Sequence, residues 1–399
     1  MTPLHRLFTA GFRVFFLAAG LFAVFTMIVW EGWLAVHALG GMVNDMPFAQ
    51  APHLWHAHEM IFGYGAAAVA GFLMTAAPNW TGGPSAPVPF FAGAAALWLA
   101  GRMGIWWSAS LPDLLVAVLD LAFLPLVAGR LLGMLWKRPK PQQMILLAVI
   151  AVFWAGNLSV HLEWAGLTAG GANEGLRTGL LSLAALIAVL GGRVTPAFTR
   201  NAMIREGRET GLPRDPRPLA IPAIAAAMLV PLAMLARLPE PVIAVPALLA
   251  GAAALGRLAF WRGGWCLRQP ILWTLHLSYA MSALGLILMG LAWLGLGSEV
   301  AALHVLGIGG VGGMTLSVMS RAALGHSGRA LVAPEGVALA YGLVPLAAAL
   351  RFAGSAWPAF YYPAVLGSGA LWLLAFTLFT VSLWPVFWGP RLTAQRGAA

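Results

Sequence analysis

Twelve long apolar stretches are the feature that most restricts what this chain can fold into. They fall near 12–38, 53–77, 89–107, 112–136, 142–166, 174–195, 218–237, 241–261, 270–295, 300–320, 333–352 and 358–388. A helix needs roughly 20 apolar residues to cross about 30 Å of hydrocarbon, and each stretch supplies about that many. The separators carry Pro, Gly and charge, as in Lys137-Arg138-Pro139-Lys140-Pro141. The reading is an all-α integral membrane protein of about twelve transmembrane helices. Composition agrees, with 60% hydrophobic and only 9% charged residues among 399. A soluble domain carries roughly 25% charged residues, so lipid must serve as much of this chain's solvent.

Basic residues then set an orientation. With the loops numbered alternately from a cytoplasmic N-terminus, nineteen of the 23 Lys and Arg fall on the cytoplasmic side. The other four are Arg102, Arg177, Arg237 and Arg351. That bias predicts both termini inside the cell, the arrangement expected in a bacterial inner membrane. The net charge of +10 sits in short clusters between apolar runs, with no continuous basic stripe, which argues against a nucleic-acid partner. Arg6 and Arg13 precede the first run with no small-residue cleavage site, so that run is read as a first span and not a removed signal. One cysteine, Cys266, leaves no internal disulfide and no paired-cysteine metal motif. The expected organisation is a single membrane domain over 1–399. It has two six-helix halves, about 1–195 and 218–390, joined by a basic cytoplasmic loop at 193–217. No internal repeat is apparent.

Ionisable residues inside spans are costly and mark functional candidates. At about 1.5 Å per helical residue, His58 and His161 lie about 8 Å, and His304 about 6 Å, from the non-cytoplasmic side. Three histidines on three helices thus share one layer. His53 and His56 sit just above it, and Glu31, Glu59, Asp120 and Glu163 fall in the same half. Imidazoles and carboxylates projecting inward at similar height are what a metal site in a helical bundle requires. His56, His58, His161 and His304 are therefore the metal candidates. The four acidic residues are candidate proton relays or partners for a ligating imidazole's second nitrogen. A smaller set lies near the cytoplasmic side: His276, His326, Arg193 and Arg321, whose guanidinium groups can receive an anion such as a propionate. Gly-rich and Ala-rich faces on the second and tenth runs let helices approach closely or let a flat macrocycle lie against backbone. The 18 tryptophans are expected interface anchors and need no cofactor.

These segments resemble the NnrS family of bacterial membrane proteins. The resemblance lies in WHAHEMIFGYGAAAVAGFLMTAAPNWTG (55–82), GGRVTPAFTRNA (191–202), HLSYAMSALGLILMGLA (276–292) and ALHVLGIGGVGGMTLSVMSRAALGHSGR (302–329). It implies a twelve-span inner-membrane protein that holds haem, of the b type, and copper, and is linked to nitric oxide metabolism, denitrification or defence against nitrosative stress. The motif histidines map to His56, His58, His276, His304 and His326, with His161 outside the quoted blocks. Haem and copper would be divided in some way among His58, His304, His56 and His161. A second reading is a small-molecule or metal transporter with a histidine-lined path, which broken helices and a midplane polar site would favour.

Overall fold

The computed structural model describes residues 2–137 and 141–392. Arg138, Lys140 and Arg396, which enter the charge count above, lie outside the described residues. Every regular element among the described residues is helical, and twelve helices are long and apolar enough to cross a membrane. They are α1 (Gly11–Ala38), α2 (Pro52–Thr81), α3 (Val88–Trp106), α4 (Asp113–Lys137), α5 (Gln143–Trp164), α6 (Ala172–Arg205), α7 (Arg217–Leu235), α8 (Glu240–Leu258), α9 (Pro270–Trp293), α10 (Glu299–His326), α11 (Glu335–Ala356) and α12 (Pro358–Trp388). For description, the end of the bundle where α1 stops and α2 starts is called the upper end.

Two helices outrun their apolar stretches. α6 continues to Arg205 and α10 to His326, so the expected loop at 193–217 shrinks to 206–216. Polar residues at the end of an apolar run read as loop, yet their backbone groups still gain by staying in the helix. Within the shortened loop, Asp215 makes a two-pronged ion pair with the buried Arg257, both contacts at 2.9 Å. The chain also closes on itself: α1 packs along α12, and Arg13 Nη1 donates to the carbonyls of Phe387 (2.7 Å) and Gly389 (2.8 Å) at the end of α12. Those carbonyls have no intrahelical partner, and a guanidinium suits a helix C-terminus.

At the centre, α2, α6 and α10 pack against one another and are, with α1, the most enclosed helices. Each is interrupted midway by a π-helical stretch, at Glu59–Gly65, Ile187–Gly191 and Val305–Gly312. A pattern missed in the sequence accompanies them: Ile, three residues, Gly, then a small residue. It occurs as Ile61-Gly65-Ala66, Ile187-Gly191-Gly192 and Ile308-Gly312-Gly313, once every four helices. The glycines are where neighbours crowd in. A Cβ on Gly65 would stand 2.9 Å from the Leu183 side chain of α6, and one on Gly191 would stand 3.1 Å from Met314 of α10. Single-turn π interruptions recur at functional sites because they re-aim the side chains around them. Here those in α2 and α10 begin at the residues directly after His58 and His304.

Candidate functional site

His56 and His58 stand two residues apart on α2, about 200° around the helix, so they face different neighbours. His58 turns toward α3, α4 and α5. Its Nδ1 lies 2.9 Å from Glu59 Oε1, and its Nε2 lies 2.9 Å from Asn157 Oδ1 and 3.3 Å from Asp120 Oδ2. His161 of α5 reaches the same carboxylate, Nε2 to Asp120 Oδ2 at 2.8 Å, and Asn157 Nδ2 donates to that oxygen at 2.8 Å. Arg102 of α3 ion-pairs with both Glu59 and Asp120. All six side chains are buried. Trp164 and Phe62 close over the rings, at 5.0 and 5.3 Å from His58.

Charge and hydrogen bonding together show what this cluster can hold. Two carboxylates against one guanidinium leave one uncompensated negative charge, and a buried charge is retained only when paired. When His58 Nδ1–H donates to Glu59, Nε2 faces two oxygens, an arrangement that suits a cation among them. A proton on the imidazole or a metal ion would fill that role. Ligand atoms of His58, Asp120 and His161 all lie within 4.8 Å of one another. The Nε2–Oδ2 separations of 2.8 and 3.3 Å match adjacent ligands on an ion with bonds of about 2.0–2.2 Å. Glu59 then plays the carboxylate partner that fixes a ligating imidazole's tautomer. The donor set fits a divalent transition metal.

His56 faces the other way, into a cavity of about 350 Å³ among α1, α2, α6, α10, α11 and α12. His304 of α10 lines the same cavity. Its Nδ1–H donates to the Val300 carbonyl at 2.7 Å, which leaves Nε2 as the nitrogen with a lone pair. The His56 ring stacks on Trp30 with centroids 4.8 Å apart, and its Nδ1 is buried without a partner. Glu31, Arg177 and Arg351 also line the space; Arg177 is anchored to Glu299 at 2.7 Å. The remaining wall is mostly apolar, with Ile61, Leu180, Ile308, Val311 and Trp372, though His53, Tyr64, Asn173 and Ser368 also line it, and Gly307 and Gly369 leave backbone exposed to it. Beneath it lies an apolar chamber of about 70 Å³ between α2, α6 and α10, with Leu183 and Val311 shared by both. An apolar slot with two imidazoles and two guanidinium groups fits a haem, whose ring is flat and whose propionates are anionic.

The single layer of histidines thus divides in two: His58 with His161, ring centroids 5.5 Å apart, and His304 with His56. Glu31 lines the cavity, while Glu59 and Asp120 belong to the buried cluster. Glu163 takes neither place, because its carboxylate accepts from the Ala172 backbone N–H and caps α6. The lower set is held by separate neighbours. His276 Nε2 meets the Thr199 hydroxyl at 2.9 Å and Cys266 Sγ at 3.6 Å; Arg321 stacks on Phe198 at 3.9 Å; His326 stacks on Phe12 at 6.1 Å; Arg193 is exposed. Asn157, Arg102, Arg177 and Arg351 are site residues that sequence reasoning passed over. A signal for three of them was available: they are exceptions to the positive-inside bias.

Fold and site define a class: a polytopic α-helical membrane protein with a buried His–Asp–His cluster beside a histidine-lined intramembrane cavity. The sequence matches the family model described as NnrS protein over residues 6–391, nearly its whole length, and the chain belongs to that family. Comparison with curated proteins found no match.

Proposed function

We propose that this is a haem- and copper-binding protein of a bacterial inner membrane, with both termini cytoplasmic, that binds or converts nitric oxide and so protects against nitrosative stress. The observation that carries the reading is the pair of imidazoles, His304 and His56, facing one apolar cavity from two central helices. His304, whose tautomer is set by the Val300 carbonyl, would hold a haem iron in that cavity, and Arg177 and Arg351 would receive its propionates. Copper is assigned to His58, Asp120 and His161. Bound haem iron supplies the coordination position at which nitric oxide binds, and the apolar chamber below gives an uncharged diatomic a place that water does not favour. Glu31, at the cavity wall, is the residue of this chain best placed to pass protons there. His276 and His326, with Arg193 and Arg321, are kept as a second, lower cofactor region in this proposal.

A transporter with a histidine-lined path is the less supported reading. Its polar lining would have to continue through the bundle, whereas the space below His56 and His304 is lined almost wholly by apolar side chains. The proposal is tested on detergent-purified protein by visible spectroscopy. The expected result is a Soret band whose ferrous form shifts on adding nitric oxide. Protein purified from haem-replete cells without such a band sinks the reading.

A further inference from the structure

A second large recess, independent of the cavity reading, opens on the lipid-facing side of the bundle between α1 and α3 and is floored by α2. It holds about 610 Å³. Its outer walls are side chains turned to lipid: Leu21, Phe25, Leu99 and Met103 are 41–53% exposed. Its floor carries Glu59 and Arg102, the two charged side chains that line it. Arg102 spends its terminal nitrogens on Glu59 and Asp120, and its Nε–H is buried without a partner. Phe22 and Trp98 meet edge to face at 5.3 Å beside it, an aromatic wall with Trp98 Nε1 tied to the Gly63 carbonyl at 3.0 Å. From Phe25 the recess runs along α1 to Val14, about 16 Å at 1.5 Å per residue, and on to Leu7.

An occupant must therefore come from the bilayer, be apolar over most of its length, and end in a group that can accept from an N–H donor. Depth selects among lipids. Glu59 lies seven residues into α2, about 10 Å below its upper end, where a zwitterionic or anionic headgroup would lose its water. A neutral, planar head with carbonyl or hydroxyl oxygens has no such cost and stacks on aromatic rings. We propose that this recess binds the headgroup of an isoprenoid quinone, its carbonyl oxygen seated toward the Arg102 Nε–H against Phe22 and Trp98, and its tail lying along α1 toward Val14.

The test is photolabelling of the full-length protein in phospholipid nanodiscs with an azido-ubiquinone, followed by peptide mapping. The expected result is labelling within residues 14–25 or 98–107 that excess short-chain ubiquinone suppresses at least tenfold and added phosphatidylethanolamine does not. Arg102 variants risk misfolding, so a second variant carries the argument. Met103→Trp, on the half-exposed wall, fills the recess and should lower labelling at least fivefold with an unchanged unfolding temperature and visible spectrum. Labelling that maps elsewhere, that phospholipid suppresses equally (a lipid cleft only), or that survives Met103→Trp overturns the proposal.

Discussion

Replacing Arg102 by Met probes the buried cluster most sharply, because one guanidinium there ion-pairs with two carboxylates. At an effective dielectric constant of 20, a unit pair about 3 Å apart is worth roughly 5–6 kcal/mol of attraction. Most of that is offset by taking the three ions out of water. The net loss on removing one partner of such a buried set is about 3–5 kcal/mol, because the remaining charge stays buried and unpaired. With about 2.1 cal/mol/K of unfolding entropy per residue, that loss lowers the midpoint by at least ~4 °C for a chain of this length. Cys266 supplies the assay. It is the one cysteine and fully buried, so a thiol-reactive fluorophore reports unfolding during a thermal ramp. The triple variant Arg102→Met, Glu59→Gln, Asp120→Asn removes the whole set and should recover to within about 1–2 kcal/mol of the parent, since uncharged replacements of buried ion sets are often neutral. An Arg102→Met protein with an unchanged midpoint, or a triple variant worse than the single, refutes this account of the cluster.

Helix packing gives a second contrast: a Cβ on Gly285 of α9 would stand 2.8 Å from Leu306 Cα and 2.9 Å from its backbone nitrogen, whereas Gly93 of α3 has nothing within 4 Å. Gly285→Ala should cost about 1–3 kcal/mol in the same ramp, and Gly93→Ala essentially nothing. Cys266, in the loop after α8, gives the pH dependence. Burial pushes its thiol up from the ordinary value, against a smaller opposing pull from the Thr199 hydroxyl. A raised folded value means that its contribution to stability is fully present below the unfolded value and is lost as pH rises through the folded one. Native-state alkylation by N-ethylmaleimide at pH 7.5 should therefore be more than ~10-fold slower than after unfolding, and should accelerate above pH 9. Equal rates in the two states would contradict the buried placement.

Hydropathy was enough to locate all twelve helices, because a membrane-length apolar run has few alternative folds. The ends of α6 and α10 were not legible, since Arg193–Arg205 and Arg321–His326 look like loop by composition. The three π interruptions escaped for another reason: the shared pattern spans only six residues and recurs 126 and 121 positions apart in otherwise divergent helices. Depth along each helix placed His58, His161 and His304 together, but depth says nothing of rotation. The two-residue spacing of His56 and His58 already implied opposite faces, and that is the step by which one layer separates into two sites. Arg102, Arg177 and Arg351 were counted as topology signals. In the structure Arg102 bridges Glu59 and Asp120, while Arg177 and Arg351 line the cavity that His56 and His304 share.

The central claim is that two distinct cofactor positions lie side by side in the upper half of the bundle, separated by α2. Haem and copper quantified on the same purified preparations test it most directly. The account predicts a double dissociation: His304→Ala loses haem and retains copper, while His58→Ala and His161→Ala lose copper and retain haem. Variants that lose both together while still folded, or that lose neither, would contradict it.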